Sequence, residues 1–597
     1  MRAALDLMMR RGPDDEGIWS DGTRCTLGFR RLSILDLSPS GHQPMTTREG
    51  RHVLVFNGEI YNFRELRREL AGYGDQPRSS GDAEVLLLAL RRWGSGALAK
   101  LDGMFALAFY DIDAKELLLA RDHAGIKPLY VGTDKRGVVF GSRYDQVLRH
   151  PWLRATTPDE AMVASYLRLG FLAGNRGLHR GIGQLSAGEW RRYDQDGFET
   201  SGRFFEVSRY REPTLRGAEA IEALDAAISL SVERHLISDV PVGVLLSGGV
   251  DSPLVAAEAM RKANGTLKAF TIAVDDPEMD ESDDARRFAE EIGVEHIVER
   301  IAANEAVALV DDVVSACSEP TADYSVFPTL LVSRLARRHV KVVLSGDGGD
   351  ELYWGYPSRF ASAIEQARYF AWPRVARWAA IGVRKVSKAN GPTRDVLDYS
   401  TIGRLYQRKH TLLAEDDLRA LFPTLPDETL DEFVFAGTDR DTVAQWVRWN
   451  ELTIHLDRVL AKVDRASMFH SLEVRVPLLA KNVIETALRT DWRTCLDVRT
   501  RVGKLPLRQV LSRRLRHQRR DKKGFTIPIS TWLAGPLRDL VHDSLEGRKE
   551  MLGVPLDRGA LTRLLRQSDE GDRTKAWGVW LLLSLSLWDQ RVSRMTS

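Results

Sequence analysis

The residues best suited to chemistry are Ser247–Ser252, which read Ser-Gly-Gly-Val-Asp-Ser and follow the apolar run Val244–Leu246. The apolar run predicts the end of a buried strand, and a helix is expected over Pro253–Lys262 with its proline in the tolerated first turn. Adjacent glycines let backbone N–H groups approach an anion, and a helix N-terminus adds positive partial charge. Asp251 is placed to hold Mg²⁺ beside phosphates. The pattern indicates a phosphate-binding loop; the alternative is a glycine-rich turn from strand to helix.

A second loop of related composition follows the apolar run Lys341–Leu344. It reads Ser-Gly-Asp-Gly-Gly-Asp-Glu over Ser345–Glu351, so three carboxylates stand within five residues. They would repel one another unless a cation lay nearby. Two such loops at the carboxyl ends of strands are what an ATP–Mg²⁺ site in a parallel sheet requires. The alternative is a solvated acidic turn.

The elements that must position these loops follow from the pattern of the chain beyond residue 218. Helical runs alternate there with apolar strands, at Ile221–Leu236, Val242–Leu246, Ala269–Val274, Asp283–Ile292 and Val340–Leu344. This alternation predicts a parallel, doubly wound sheet. Beyond about residue 358 the pattern is mainly helical, which predicts a helical extension of the same domain.

Residues 1–205 predict a separate, strand-rich half. Short apolar runs occur at Arg51–Phe56, Phe105–Tyr110 and Glu116–Ala120, and Asn57-Gly58 and Asp102-Gly103 are interpreted as turn signals between strands. The polar stretch 206–217 lacks periodicity and predicts a linker between the two halves.

Composition excludes several classes of protein. The chain has 597 residues, which favours two or more domains, and its 85 basic and 83 acidic residues leave a net charge of +2. Such a balance gives no reason to expect nucleic acid or an anionic membrane as a partner. Three scattered cysteines form no metal-ligand pattern and fit a reduced cytoplasm. No signal peptide is expected at Met1–Arg11, and Trp577–Trp588 is too short to span a membrane, so a buried C-terminal helix is predicted there.

Specific resemblances add to this reading. The first loop is not a Walker A loop, which needs Gly-x-x-x-x-Gly-Lys-Ser/Thr; it resembles the pyrophosphate loop of N-type ATP pyrophosphatases. Along nearly its whole length the chain resembles glutamine-dependent asparagine synthetases of the B type. The collinear order of the matching strings carries the resemblance: Arg10–Asp15, Arg31–Asp36, Gly41–Pro44, Asn57–Asn62, Ala120–Tyr130, both glycine-rich loops, Asp457–Met468, Ser471–Leu479, Gly503–Arg508 and Lys522–Pro528.

The resemblance implies a two-domain α/β and α+β fold. Residues 1–205 would form a glutaminase-like, class II amidotransferase domain with an Ntn-hydrolase-like αββα sandwich. Residues 218–597 would form an ATP-dependent synthetase domain, with a doubly wound parallel sheet of the ATP pyrophosphatase type and a helical extension. The expected partners are small-molecule substrates, ATP and Mg²⁺, with no nucleic acid, no membrane and a homodimer as the candidate assembly.

The reaction that the resemblance implies has two steps: a substrate carboxylate attacks the α-phosphate of ATP, and ammonia then displaces AMP from the acyl adenylate. Lys504 would stabilise charge on the α-phosphate, and Asp347 would receive a proton from ammonia. Asp251 and Asp350 would hold Mg²⁺. The residues expected to bind ATP are Leu246, Ser247, Gly248, Gly249, Asp251, Ser252, Ile272, Ser345 and Gly346.

The resemblance also implies a glutamine site in the first half. Arg31 would pair with the glutamine carboxylate, Glu59 and Asp82 would hold its α-amine, and Asn57 and Gly58 would supply the oxyanion hole.

The nucleophile of that half in the family is an N-terminal cysteine. By comparison, roughly the first 25 residues of the family pattern are expected to be absent, including this cysteine and the first strand. Cys25 lies in an apparent strand without a free amine, and a buried structural thiol is its expected role. Either the start is misplaced and the true protein is complete, or the chain is shortened and depends on free ammonia. The retained glutamine-binding residues favour the first account.

One departure from the family leaves the acceptor open. The family continues Arg-Val-Pro-Phe-Leu-Asp, whereas this chain has Ala480 in place of the aspartate, and Pro253 replaces a common serine. The leading hypothesis is asparagine synthesis from aspartate, ATP and glutamine. The second is an amide ligase that acts on another carboxylate, as in relatives that close lasso peptides or β-lactam rings. The third is an inactive scaffold, which intact Asp251, Asp347, Asp350 and Lys504 disfavour.

Overall fold

The computed structural model describes residues 1–263, 265–301, 305–387, 395–426, 429–517 and 527–596. In the first half the strands are β1 (Asp15–Ser20), β2 (Thr26–Arg31), β3 (Met45–Thr46), β4 (His52–Ile60), β5 (Gly103–Asp111), β6 (Glu116–Arg121), β7 (Tyr130–Asp134), β8 (Gly137–Gly141), β9 (Ile182–Gln184), β10 (Glu189–Tyr193) and β11 (Glu199–Arg203). The helices are α1 (Arg2–Asp6), α2 (Phe63–Gly72), α3 (Ala83–Trp93), α4 (Tyr144–Leu148) and α5 (Glu160–Leu169).

Strand alternation builds a sandwich from these elements. A six-stranded sheet has the order β11-β10-β6-β5-β4-β3, and a second layer holds the hairpin β1-β2 and the sheet β8-β7-β9. Leu54, Phe56 and Leu107 point from the larger sheet toward α2 and α3. Their neighbours Val55 and Ala106 point toward the second layer, as a two-residue period requires. Since α4 packs on β7 and β8, the expected αββα layering is confirmed.

The interpretation of Asn57-Gly58 as a turn is wrong. Both residues lie inside β4, where Asn57 pairs with Ala106 and Gly58 with Phe105. Gly58 has a φ of 143°, and a Cβ there would lie 1.9 Å from the Met104 carbonyl oxygen. The glycine therefore serves a close approach of two strands rather than a chain reversal.

The second half contains β12 (Val242–Leu245), β13 (Lys268–Val274), β14 (Glu295–Ile301), β15 (Val342–Leu344), β16 (Glu473–Arg475), β17 (Glu550–Met551) and β18 (Val554–Pro555). Its helices are α6 (Gly217–His235), α7 (Asp251–Lys262), α8 (Ser282–Ile292), α9 (Ala306–Ala316), α10 (Val326–Arg337), α11 (Gly349–Leu352), α12 (Pro357–Gln366), α13 (Arg374–Ser387), α14 (Asp395–Asp398), α15 (Ile402–Arg408), α16 (Glu415–Leu421), α17 (Arg440–Asn450), α18 (Leu456–Phe469), α19 (Lys481–Arg489), α20 (Trp492–Cys495), α21 (Leu505–Ser512), α22 (Ile529–Ala534), α23 (Arg538–Leu545), α24 (Arg558–Asp569) and α25 (Arg573–Thr596).

The predicted parallel sheet is confirmed, with the strand order β14-β13-β12-β15-β16. β12 and β15, which precede the two glycine-rich loops, are parallel neighbours, so both loops leave the same edge of the sheet. Two strands were not predicted. β14 lies at a sheet edge and has polar side chains at four of its seven residues, and β16 is three residues long with a charged residue at each end.

The helical extension packs around the C-terminal helix α25, in which residues 579–583 are buried. The buried helix expected over Trp577–Trp588 is therefore confirmed. In the part of the chain that the structure describes, none of the helices combines the length and the apolar character needed to cross a membrane.

Candidate functional site

The first loop folds as a strand-to-helix turn held by its two serines. Ser247 follows β12 by two residues, and α7 begins at Asp251. The Ser247 N–H donates to Ser252 Oγ at 2.9 Å, and the Gly249 N–H donates to Ser247 Oγ at 3.3 Å. These bonds close the loop over the N-terminus of α7, where positive partial charge favours a phosphate.

The second loop lies directly against the first. A Cβ on Gly346 would be 2.6 Å from the Ser252 nitrogen, and one on Gly349 would be 2.6 Å from Asp251 Oδ1. Only glycine fits at such separations. Asp347 lies on this loop, and the Ser345 hydroxyl donates to its carboxylate.

Lys504 brings the two loops into one ionic cluster. Its ammonium lies 2.7 Å from Asp350 Oδ1 and donates to Asp251 Oδ2. The lysine is 7% exposed. Burial disfavours the ammonium, but the two carboxylates outweigh burial and hold the pKa of Lys504 above its ordinary value. Residues 251, 350 and 504, far apart in sequence, therefore form one ionic cluster.

The backbone of Lys504 adopts a strained, left-handed conformation. Lys504 has a φ of 57°, and its N–H donates to the Tyr353 carbonyl at 2.8 Å. A Cβ on Gly503 would lie 1.9 Å from the Trp354 oxygen, and one on Gly355 would lie 2.3 Å from Lys504 Cε. A non-glycine residue in the left-handed region costs of order 1–3 kcal/mol and is frequent at functional sites.

The residues expected around the nucleoside also meet at this edge. Leu246 follows β12, Ile272 lies in β13 and Ser345 follows β15, so they come from three adjacent strands. The Thr271 hydroxyl donates to the Leu246 carbonyl at 2.7 Å, which ties the first loop to β13. Gly248, within the first loop, is buried.

Asp251 and Asp350 fit the oxygen chemistry of Mg²⁺, which typically takes one or two carboxylates together with substrate phosphates. Among the described residues no group of three or more His, Cys, Asp or Glu side chains could hold a metal ion. Asp251 and Asp350 would hold the ion together with phosphate oxygens of the nucleotide, which would complete the shell.

The residues predicted to bind glutamine line a cavity of about 620 Å³ in the first half. Arg31, Asn57, Gly58, Glu59 and Asp82 all line it. The residues predicted from the resemblance come from β2, β4 and the start of α3, and the fold brings them to one cavity.

The polar side chains of this cavity differ in their hydrogen-bond partners. The Arg31 guanidinium donates to the carbonyls of Leu35 (3.1 Å) and Ser38 (3.2 Å), so it is braced by a backbone loop. Asn57 Nδ2 is buried and has no hydrogen-bond partner among the described residues. A buried donor of this kind is what an oxyanion would use.

Two acidic residues that line the cavity have raised pKa values. Burial raises the pKa of Asp82 to about 6, although the Ile60 N–H donates to its carboxylate at 2.8 Å. Burial also raises the pKa of Glu59, with the Glu473 and Asp82 carboxylates acting in the same direction and Arg475 opposing them. A ligand ammonium would stabilise the ionised form of both groups.

Cys25 is less buried than expected. It lies just before β2 rather than within a strand and is half-buried, and it does not line the cavity. Burial and the nearby Asp21 carboxylate raise the pKa of its thiol to about 12. The thiol therefore stays protonated at neutral pH and is a poor nucleophile.

Three further sequence features add no group to the clusters described above. Ala480 occupies the N-cap of α19 and makes no side-chain capping bond. In the basic run Arg513–Lys523, Arg513 pairs with Glu222 and Asp225 at the surface, in line with a solvated face. Residues 518–526, and with them much of the Lys522–Pro528 string, lie outside the described residues.

Sequence reasoning missed the charged network behind α11. Glu451, fully buried in a π-helical turn, pairs with Arg359 at 2.6 Å and with His410 at 3.1 Å. Burial opposes ionisation, but the Arg359 guanidinium, with His455 and His410 acting in the same direction, holds the pKa of Glu451 well below its usual range. His455 also reaches Glu351, the neighbour of Asp350, at 3.4 Å. No local pattern announces a π-helical turn, so only the structure identifies this support.

Comparisons with known proteins find two domains, in the same order along the chain as the two halves of the fold. The asparagine synthase family matches residues 223–590, and the glutamine amidotransferase domain matches residues 1–205. A putative asparagine synthetase [glutamine-hydrolyzing] of Mycobacterium tuberculosis (strain ATCC 25618 / H37Rv) is 33% identical over 609 residues, 98% of this chain and 92% of the relative. Asparagine synthetase [glutamine-hydrolyzing] 1 of Bacillus subtilis (strain 168) is 28% identical over 98% of this chain and 92% of its own. Asparagine synthetase B [glutamine-hydrolyzing] of Escherichia coli (strain K12) is 32% identical over 59% of this chain and 60% of its own.

Proposed function

The chain belongs to the asparagine synthase family, and from that premise we propose that it amidates aspartate to asparagine through a β-aspartyl-AMP intermediate. It is a carbon–nitrogen ligase of the glutamine-dependent type. The observation that carries the proposal for this chain is the placement of Lys504 between Asp251 and Asp350 at adjacent strand ends.

In the first step an oxygen of the aspartate side-chain carboxylate bonds to the α-phosphorus of ATP, and the bond to the β-phosphate oxygen breaks. Backbone N–H groups of Ser247–Ser252 and the N-terminus of α7 would stabilise charge on the leaving pyrophosphate. The Lys504 ammonium would stabilise the charge that builds up at the α-phosphate. Mg²⁺ on Asp251 and Asp350, when bound, would neutralise the phosphate oxygens.

In the second step ammonia forms a bond to the acyl carbon and AMP leaves with the electron pair. The nitrogen loses a proton, and Asp347 in the second loop would accept it. In the cavity of the first half, Arg31 would bind the glutamine carboxylate, and Glu59 and Asp82 would bind its ammonium. Asn57 and Gly58 would donate to the oxyanion.

The test is pyrophosphate release from ATP with aspartate, scored beside a panel of other carboxylic acids, with either glutamine or ammonium as the nitrogen source. We expect aspartate to support release and the product to have the mass of asparagine. Release with another acid and none with aspartate would contradict the proposal for the acceptor. No release with any acid, in protein that binds no nucleotide, would contradict the chemistry itself.

A further inference from the structure

The segment Arg475–Leu479 contacts both candidate sites. The Arg475 side chain is fully buried, and its Nε donates to Glu473 Oε1 at 2.8 Å. One terminal nitrogen donates to the carbonyls of His235 (2.8 Å) and Ile237 (2.6 Å). The other terminal nitrogen lies 3.3 Å from the carboxylate of Glu59, on the wall of the glutamine cavity. The guanidinium is thus fixed in the synthetase half and points one nitrogen into the first half.

The backbone of the same segment supports the second nucleotide loop. The Ser345 N–H donates to the Arg475 carbonyl at 2.9 Å, and β16 pairs with β15 in register. A Cβ on Gly348 would lie 2.4 Å from Leu479 Cδ2, so the leucine packs closely against the loop. The Leu479 carbonyl accepts a hydrogen bond from His123 Nε2 of the first half at 2.7 Å. Five residues therefore connect the cavity wall with the loop that carries Asp347 and Asp350.

We propose that Arg475 is a positioning residue that couples glutamine binding at Glu59 to nucleotide binding at the Ser345–Asp350 loop. The inference rests on the proposed function, because it takes the two cavities to be the glutamine and ATP sites. It goes further in assigning the physical link between them to one side chain and one short strand.

The sign of the coupling follows from the charges. Glu59 lies in a buried acidic group with Glu473 and Asp82, so it needs a cation in order to stay ionised. Nucleotide binding fixes the second loop, and through Ser345 and β16 it holds Arg475 in place beside Glu59. An ionised Glu59 then binds the ammonium of glutamine more tightly. Because coupling free energies are reciprocal, glutamine must tighten nucleotide binding by the same factor.

The experiment measures two dissociation constants by titration calorimetry at pH 8. Glutamine is titrated with and without saturating α,β-methylene-ATP and Mg²⁺, and the nucleotide analogue is titrated with and without glutamine. We expect each ligand to tighten the other by at least about fivefold in the parent protein, the lower end of common coupling factors. In Arg475→Met this factor should fall to one. Arg475→Lys should restore part of it, since lysine keeps the charge but cannot hold two carbonyls and two carboxylates at once.

Arg465→Met is the matched control. Arg465 is also buried and also bridges the halves, but its partners Tyr130 and Glu319 do not line the glutamine cavity. Arg475, in contrast, pairs with Glu59, which does line it. This variant should keep the coupling factor even if its melting temperature falls. Loss of coupling in Arg465→Met to the same extent would show a general effect of buried charge and overturn the assignment to Arg475.

Glu59→Gln keeps the test decisive if Arg475→Met does not fold. It leaves Arg475 intact and alters only the group in the first half, yet it should weaken binding of the nucleotide analogue severalfold. Unchanged analogue affinity in Glu59→Gln, or a coupling factor of one in the parent protein that binds both ligands, would overturn the inference and leave the proposed function standing. A parent protein that binds neither ligand would refute the proposed function and the inference with it.

Discussion

Replacement of Lys504 by methionine removes the charge that joins Asp251 and Asp350 and keeps a side chain of similar length. Lys504 is 7% exposed, so its ammonium acts in a site largely closed to water. Loss of one such charge-stabilising group typically reduces kcat by about 10²–10³, or ~3–4 kcal/mol of transition-state stabilisation. We expect this loss in aspartate-dependent exchange of pyrophosphate into ATP, an assay of the first step that needs no nitrogen donor.

The same substitution has a second readout in stability. Removing one partner from a buried ion pair costs about 3–5 kcal/mol, because a buried charge is left uncompensated. The carboxylates are 14% and 23% exposed, so water screens part of this cost. Because two carboxylates would then face one another, Mg²⁺ alone should raise the melting temperature of Lys504→Met more than that of the parent.

Lys575→Met is the matched control, since Lys575 pairs with Asp417 at 2.7 Å in the helical extension, outside the loops of the site. It should leave exchange within about twofold of the parent, a difference of under ~0.5 kcal/mol. Exchange by folded Lys504→Met within threefold of the parent would refute the role given to Lys504.

Three further predictions concern other parts of the site. Burial raises the pKa of Asp82 to about 6, against 3.8 when the group is exposed. The folded protein therefore binds the Asp82 proton more tightly than the unfolded chain does. The contribution of this group to the free energy of unfolding falls as the pH rises from about 4 through 6. Glutamine affinity should rise over the same interval, because the ionised form binds the ammonium; Asp82→Asn should flatten both profiles, and an unchanged melting profile would contradict the assignment. Ala480→Asp should stabilise the protein by about 0.5–2 kcal/mol in thermal melting if its carboxylate caps α19, and a lower melting temperature would show that it does not reach the helix N–H groups. Gly503→Ala should lower pyrophosphate exchange by at least about tenfold, because its Cβ would displace the segment that carries Lys504. Gly382→Ala, at a glycine with open space around it, is the control and should leave exchange unchanged.

Local sequence patterns were sufficient to predict the helices, strands and loops whose conformation is set by residues nearby in the sequence. The Ser247–Ser252 loop was predicted because a strand end, two glycines and a helix start are all encoded within a few residues. The buried helix α25 was predicted in the same way, from the apolar segment Trp577–Trp588. Asn57-Gly58 failed because its turn preference is local, whereas its pairing with Ala106 and Phe105 depends on a strand about fifty residues away.

The order of amino acids is enough to identify the chemical groups available: two glycine-rich loops after apolar strands, a lysine, and a set of acidic groups matching one family. Only the tertiary structure placed Lys504 between Asp251 and Asp350, since sheet order and packing, not spacing, set those distances. Arg475 shows the same limit more clearly. In the sequence it is only one residue of the matching string Ser471–Leu479, and only burial among Glu59, Glu473 and two carbonyls gives it a link to both sites. Long-range packing decides such roles because the energy of a charge depends on what surrounds it in space.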